Sequence, residues 1–401
     1  MRSVPQVLVS HGCANRRRSA RVGEAEHSSR PRGEVIVPER RSPAELRAFA
    51  SDIVEALGAP TDAAERVAAS LIAADVQGYG THGIGILPLY AKMVADGAIE
   101  PAAEPVVEQG EGSTVRVDGR AAFGQLTARE ATAAGVDLAE ASGAAVVGFR
   151  DASHVGLLGE WARLAASEEM VFLGFTNTGG GAQNTAPFGG HERKLSTNPV
   201  AFGFPTFGEL PFNIVADFAT SQVSGSVIRT HHRTGEPLDD EWTTTATGDP
   251  VGDSAAFMDG DGALLPLGGR VTGHKGYALS LAAELLGGLI GDSPVVGEAD
   301  PDWLANGGAF VVVDPTRFVN PDQLRQRVRA VADHLRTDKV RLPGEGAHEF
   351  RQRASEEGVE LVTGDLVPLT ELAENLGVSL PDWLRAAVSE ADEVDNDVRS
   401  W

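Results

Sequence analysis

The sequence predicts an α/β protein that lacks the dinucleotide fingerprint of doubly wound folds. Three observations predict it. Residues 144–149, 156–169 and 171–176 read as a buried strand, a helix and a second strand, a unit that places ligands at strand ends. The chain before that unit carries strong helix signals. No G-x-G-x-x-G joins a strand to a helix, and no Walker A loop is present.

The first folded element begins at Ser42, which forms a capping box with Glu45, with Pro43 at the first helical position. Leu46, Phe49, Ile53 and Leu57 recur at helical spacing, and Gly58 ends the run. Thr61 is expected to cap a second helix reaching Val76. A glycine-rich stretch with Gly78, Gly80, Gly83 and Gly85 follows, then a third helix over 86–96. Val115 and Val117 read as a strand closed by the turn Asp118-Gly119. Thr127 and Glu130 are expected to box a helix that Gly143 ends. After the strand–helix–strand unit comes 177–205, rich in Gly, Pro, Thr and Asn. Ordering so many permissive residues is costly, so this stretch is either flexible or held by neighbours or a ligand. Strand-like 212–217, an apolar helix over 275–290, a strand over 309–314 and a helix capped by Asn320-Pro321 complete the reading. No fixed-period repeat is visible.

With 401 residues and 42% hydrophobic content, the chain can bury a sizeable core. Its formal charge of −23 argues against nucleic acid and against an anionic membrane surface as partners. The single cysteine, Cys13, excludes an internal disulfide and a thiolate zinc cage. No apolar run is long enough for a membrane span, and no apolar segment follows Arg16-Arg17-Arg18 to make an export signal. A cytoplasmic location is expected. Residues 1–33 carry seven Arg and two Glu without hydrophobic period, which reads as a disordered basic extension or a targeting arm. Residues 389–401 read as a loose acidic tail.

Several clusters could carry chemistry. His82, between Gly80-Thr81 and Gly83, has an uncrowded ring; an exposed loop histidine reads the same way. Ser153-His154-Val155-Gly156 stands at a strand exit ahead of a helix, a favoured catalytic address, although a structural cap fits too. Asp217-Phe218-Ala219-Thr220-Ser221, also at a strand exit, could hold ribose hydroxyls or cap a helix. Gly273-His274-Lys275-Gly276 opens a helix, where a cation suits a phosphate or carboxylate, or is simply solvated. Gly156-Leu-Leu-Gly159 faintly suggests a phosphate cradle. The adjacent His231 and His232 diverge and have no third ligand spaced to join them, so no metal is expected. No Gly-x-Ser-x-Gly elbow suggests hydrolysis.

In order, these clusters resemble the malate/L-lactate dehydrogenase family of the non-Rossmann type. The resemblance runs from about Ser42 to Leu376. It rests on His82-Gly83-Ile84, Leu87-Pro88-Leu89-Tyr90, Asp96-Gly97-Ala98-Ile99, residues 147–156, Asn198-Pro199, Asp217 through Ser221, Leu265-Pro266-Leu267-Gly268-Gly269, Lys275-Gly276-Tyr277 and Leu342-Pro343-Gly344-Glu345. It implies a mixed α/β sheet of the sulfolactate-dehydrogenase-like type rather than a doubly wound one, NAD or NADP as cofactor, a small-molecule substrate and a homodimer. It implies an N-terminal helical segment with the substrate loop over 34–120, a cofactor-binding α/β domain over 121–318 and a returning helical segment over 319–388. By the same resemblance His154 is the general acid/base, and Thr81, His82 and Tyr90 are substrate-side. Thr178, Asp217, Phe218, Ala219, Lys275, Gly344 and Glu345 fall on cofactor positions.

The chain departs from the pattern at several positions. Thr81 replaces a common Ser, and Ser196 stands where a glycine is usual. Ile86 and Gln77 stand where relatives often carry Arg. Losing an arginine from a buried carboxylate costs about 2–5 kcal/mol. Either another cation, such as Arg150 or Arg193, takes over, or the substrate is not an ordinary 2-keto acid. A cyclic imino acid reductase and a catalytically silent nucleotide-binding dimer are the competing readings.

Overall fold

A computed structural model describes residues 40–300, 304–337, 340–361 and 363–385. The basic extension and the acidic tail expected from the sequence lie outside the described residues.

A two-residue strand, β1 (Arg40–Arg41), leads into α1 (Pro43–Ala56) through the expected capping box: Ser42 Oγ accepts from the Glu45 N–H, and Glu45 accepts from the Ser42 N–H. α2 (Thr61–Asp75) corrects one expectation: Thr61 is its first helical residue, and Pro60 stands at the cap without a side-chain bond. The glycine-rich stretch then folds as single 3₁₀ turns, Gly80–His82 and Ile84–Ile86, before α3 (Leu87–Ala95).

The central sheet begins with β2 (Val106–Gln109) and β3 (Thr114–Asp118), followed by α4 (Gly124–Ser142), β4 (Ala144–Ala152), α5 (Leu158–Ser167), β5 (Val171–Asn177), β6 (Val200–Phe204) and β7 (Ile214–Phe218). A stretch of small elements follows: α6 (Gly225–Thr234), β8 (Thr243–Thr244), α7 (Ser254–Met258), β9 (Ala263–Leu264) and α8 (Gly269–Thr272). Then come α9 (His274–Leu289), β10 (Asn306–Val313), α10 (Pro321–Arg336), α11 (Glu345–Glu357), β11 (Val359–Glu360) and α12 (Thr363–Leu376). Seven strands lie in the order β2-β3-β4-β10-β5-β6-β7. Only β3 and β4 pair in parallel; the other neighbours are antiparallel. The expected strand–helix–strand unit exists, but β4 and β5 do not touch as ladder partners. β10 inserts between them, antiparallel to both, and the result is a mixed sheet rather than a doubly wound one. Phe310 of β10 packs between Phe149 and Phe172 with ring centroids 4.9 Å apart on either side.

The helix expected to start at Thr127 starts a turn earlier, at Gly124. Its cap is tertiary: Ser153 Oγ accepts from the Gly124 N–H at 2.8 Å. A Cβ at Gly124 would meet the Ser153 and His154 carbonyl oxygens at 2.4 Å, so only glycine lets the two segments approach. Thr127 is consequently buried inside the helix. The permissive stretch 177–205 is held by neighbours. Asn177 donates to the Pro294 carbonyl at 3.0 Å, Asn198 donates to Glu284 at 2.8 Å, and its end forms β6.

Two cores result. The sheet core gathers residues such as Val147, Trp161 and Val312. The second joins α1, α2 and α3 to α12 through Leu46, Ile53, Leu71, Leu87 and Leu369. The β1–β11 pairing, with Arg40 opposite Glu360, ties the segment between α11 and α12 to the start of the described part. Among the described residues no helix is long and apolar enough to cross a membrane.

Candidate active site

His154 follows β4, whose exit the Ser153–Gly124 bond fixes against α4. Its Nδ1 lies 2.9 Å from the Tyr90 hydroxyl of α3. Tyr90 in turn accepts from Gln125 Nε2 at 2.7 Å. The His82 ring lies over the His154 ring, with centroids 5.4 Å apart and planes 25° from parallel. Thr81 Oγ1 is 3.0 Å from His82 Nδ1. The structure therefore brings Thr81, His82, Tyr90 and His154 into one group from three separate elements.

A buried carboxylate at the end of α2 holds the Thr81–His82 loop. Asp75 accepts the Ile84 N–H at 2.8 Å. Gly83 leaves room for it, since a Cβ there would overlap the Asp75 carboxylate. Burial, with Asp365 adding repulsion and the Ile84 N–H opposing, pushes the Asp75 carboxyl up to about 7.

Both imidazoles resist protonation. Burial first, then the neighbouring His82 and the Arg229 guanidinium, push His154 down to about 3. Burial and Arg229 push His82 down to about 4. Burial raises Tyr90 above the ordinary phenol range. The site thus presents two uncharged imidazoles and a protonated phenol at neutral pH, so each ring has one nitrogen free of a proton.

Asp217, at the end of β7, faces the start of α5, where it accepts the Gly159 N–H at 2.6 Å. That contact corrects the phosphate-cradle reading of Gly156-Leu-Leu-Gly159, because the Gly159 donor is already bound within the protein. Burial, opposed by this bond, raises Asp217 to about 6. Asp217 and Gly344 line one cleft with about 370 Å³ of empty volume, together with Tyr79, Leu157, Arg163 and Arg351. A carboxylate, guanidinium groups and apolar walls make a donor set that fits part of a dinucleotide, with hydroxyls for the first and phosphate for the second. Phe218 packs near Phe202, with centroids 6.2 Å apart, and Ala219 is half-buried beside it.

The other expected cofactor positions lie on different segments. Thr178 is buried and donates to the Gly181 carbonyl at 2.5 Å. Lys275 is exposed in the first turn of α9. Glu345 opens α11, with its carboxylate engaged by the Leu342 N–H at 2.9 Å and by Arg336 at 2.8 Å.

Neither replacement cation expected from the sequence is available. Arg150 pairs with Asp118 and Asp292, and Arg193 donates to the Gly262 and Phe257 carbonyls while covering the Phe257 ring. Ile86 is buried in the helical core. Gln77 lines the cleft and gives its Nε2 to the Ala73 carbonyl. The cation whose field reaches both imidazoles is Arg229 of α6, which sequence reasoning missed because nothing local marks it. Gln125 was missed as well; its one signal is a polar residue inside the apolar run Phe123-Gly124-Gln125-Leu126.

Known proteins match this chain over most of its length. The family described as malate/L-lactate dehydrogenase matches residues 42–368. L-sulfolactate dehydrogenase of Methanothermobacter thermautotrophicus is 30% identical over 347 residues, covering 85% of this chain and 98% of the relative. The crystal structure of malate dehydrogenase from Entamoeba histolytica superposes with a TM-score of 0.80 at 26% identity, covering 86% of this chain and 99% of that one. Delta1-piperideine-2-carboxylate reductase from Pseudomonas syringae superposes with a TM-score of 0.73 at 30% identity, covering 84% of this chain and 100% of that one. With the mixed seven-stranded sheet and nearly the full length of these relatives matched, the chain belongs to the malate/L-lactate dehydrogenase family and is an oxidoreductase of the hydroxy-acid dehydrogenase class.

Proposed function

We propose that this chain moves a hydride between NAD or NADP and C2 of a small 2-hydroxy or 2-keto acid, with His154 exchanging the proton. The observation that carries the reading is the uncharged His154 ring at the β4 exit, with Tyr90 on its Nδ1 and His82 over its face. When bound, the nicotinamide supplies the hydride donor or acceptor. The chain supplies proton transfer and placement.

In the tautomer this role requires, Tyr90, which accepts from Gln125, also accepts Nδ1–H of His154. That tautomer leaves Nε2 bare, ready to take the alcohol proton in the oxidative direction. In the reductive direction an anionic substrate beside the ring raises its pKa, so Nε2 gains the proton and delivers it to the carbonyl oxygen while Nδ1–H stays on Tyr90. Proton transfer of this kind contributes about 100- to 10,000-fold. Thr81, His82 and Tyr90 border the substrate. Thr178, Asp217, Phe218, Ala219, Lys275, Gly344 and Glu345 serve the cofactor side; Glu345, its carboxylate already engaged, acts there through its backbone. We assign the working form as a homodimer in the cytoplasm. The apolar stripe Leu281, Leu285 and Leu289 along exposed α9 supports the dimer.

Reduction of a cyclic imino acid is the second reading. It is favoured by the likeness to the piperideine-carboxylate reductase. Following the absorbance of NADH and NADPH with 2-keto acids, ureidoglycolate and cyclic imines separates the two. Turnover of a keto acid supports the first reading and turnover of imines alone supports the second. Tight cofactor binding with no turnover of any of them overturns both in favour of a silent nucleotide-binding protein.

A further inference from the structure

The cleft lined by Asp217 and Gly344 contains a pair of cations that proton transfer at His154 does not use. Three elements frame it. On α5, Gly159 and Arg163 stand one turn apart; Asn213, Val215 and Asp217 alternate into and along β7; Gly344, Ala347 and Arg351 follow one face into α11. Such i,i+4 and i,i+2 spacings direct side chains to one side. α11 starts hard against β7. The Val215 N–H bonds the Pro343 carbonyl at 3.3 Å, and a Cβ on Gly344, whose φ is +92°, would lie 2.7 Å from the Asn213 carbonyl oxygen.

Arg163 and Arg351 meet in this frame. Burial pulls both guanidinium groups below their ordinary pKa, and Arg351 is lowered further by the like charge of Arg163. Glu160, one turn before Arg163, favours its charge, but that carboxylate already accepts the Ser70 hydroxyl at 2.5 Å. Arg163 Nε is buried without a hydrogen-bond partner. Among the described residues no carboxylate is ion-paired to either arginine, and Asp217 is taken up by Gly159. Two partly desolvated cations side by side, one with an unmet donor, are costly unless an anion joins them.

We infer that Arg163 and Arg351 form an anion seat for a phosphate group of the nicotinamide dinucleotide. The inference rests on the proposed function. A planar guanidinium fork matches phosphate oxygens in two-point contact. The Asp217 carboxylate in the same cleft is a partner for ribose hydroxyls and repels a small dicarboxylate, which favours a nucleotide over the acid substrate as occupant. The phosphate is either the pyrophosphate shared by both cofactors or the 2′-phosphate of NADP alone.

Titration of the full chain with NADH and with NADPH, followed by reduced-nicotinamide and tryptophan fluorescence, tests this without turnover. Arg163→Met and Arg351→Met are each expected to raise the dissociation constant about tenfold or more, the equivalent of one charge-assisted bond of roughly 1.5 kcal/mol. Arg163→Lys, which keeps the charge, is expected to recover part of the loss. Equal loss for both cofactors assigns the pyrophosphate, and loss confined to NADPH assigns the 2′-phosphate. Dissociation constants within about twofold of the parent in both Met variants overturn the arginine assignment alone. A parent protein that binds neither dinucleotide overturns the proposed function with it. Should Arg163→Met fail to fold, the half-exposed Arg351 decides the matter by itself.

Discussion

His154 stays uncharged chiefly because it is buried, with the neighbouring His82 and the Arg229 guanidinium adding to the effect. The pH dependence follows with a definite sign. A base whose pKa lies near 3 stays unprotonated down to mildly acidic pH, so the acid limb of kcat/KM for alcohol oxidation is expected below pH 5 rather than near 6.5. A limb centred near 6.5 would mean that burial does not hold the His154 ring uncharged in the free enzyme. His154→Ala is expected to lower kcat by about 100-fold or more while leaving NADH binding within about threefold. Tyr90→Phe leaves Gln125 and Nδ1 without their shared oxygen, and a loss of roughly tenfold in kcat is expected. His154 was legible at this scale because a histidine after a strand and before a helix announces itself. Gln125 and Arg229 were not, because their contacts come from distant segments and leave no local pattern.

The elements supporting these residues are coupled through termini rather than through local caps. α4 owes its start to Ser153, the residue before His154, so helix stability and imidazole placement share one hydrogen bond. Ser153→Ala is expected to cost about 1 kcal/mol in urea unfolding, the ordinary value for a lost cap. It is also expected to lower kcat more than it raises KM. Recovery of both by Ser153→Thr would separate the bond from simple packing. The same coupling explains why the helix start was misread: Thr127 and Glu130 form a good local signal, but a partner outside the helix satisfies its first donor a turn earlier. Where caps are local, as at Ser42 and Asn320, the sequence reading and the structure agree.

For the molecule as a whole, the carboxyl held under the Thr81–His82 loop sets a stability trend. Asp75 has a folded pKa near 7 against 3.8 when free. Between those values the folded chain binds the extra proton, so this group's contribution to stability falls as pH rises from about 4 to 7 and stays low above that. Asp75→Asn keeps an acceptor for the Ile84 N–H without the charge. It is expected to melt roughly 2 °C or more above the parent at pH 8, with the difference vanishing near pH 4. A constant difference across that range would mean that Asp75 does not titrate there. At this scale the α/β class was readable from the alternation around α5, and the absence of a dinucleotide fingerprint was readable directly. Strand order was not, because apolar periodicity says which residues are strands and nothing about which strand arrives between two others. That arrival has a consequence for synthesis. Residues 306–313 supply the central strand, and both β4 and β5 must bond to it. Until the ribosome has released that segment, the two halves of the sheet carry open edges facing a gap. The nascent chain therefore passes a long interval in which those edges are exposed to sticking, and its final assembly waits on contacts far apart in the chain, the kind that close slowly.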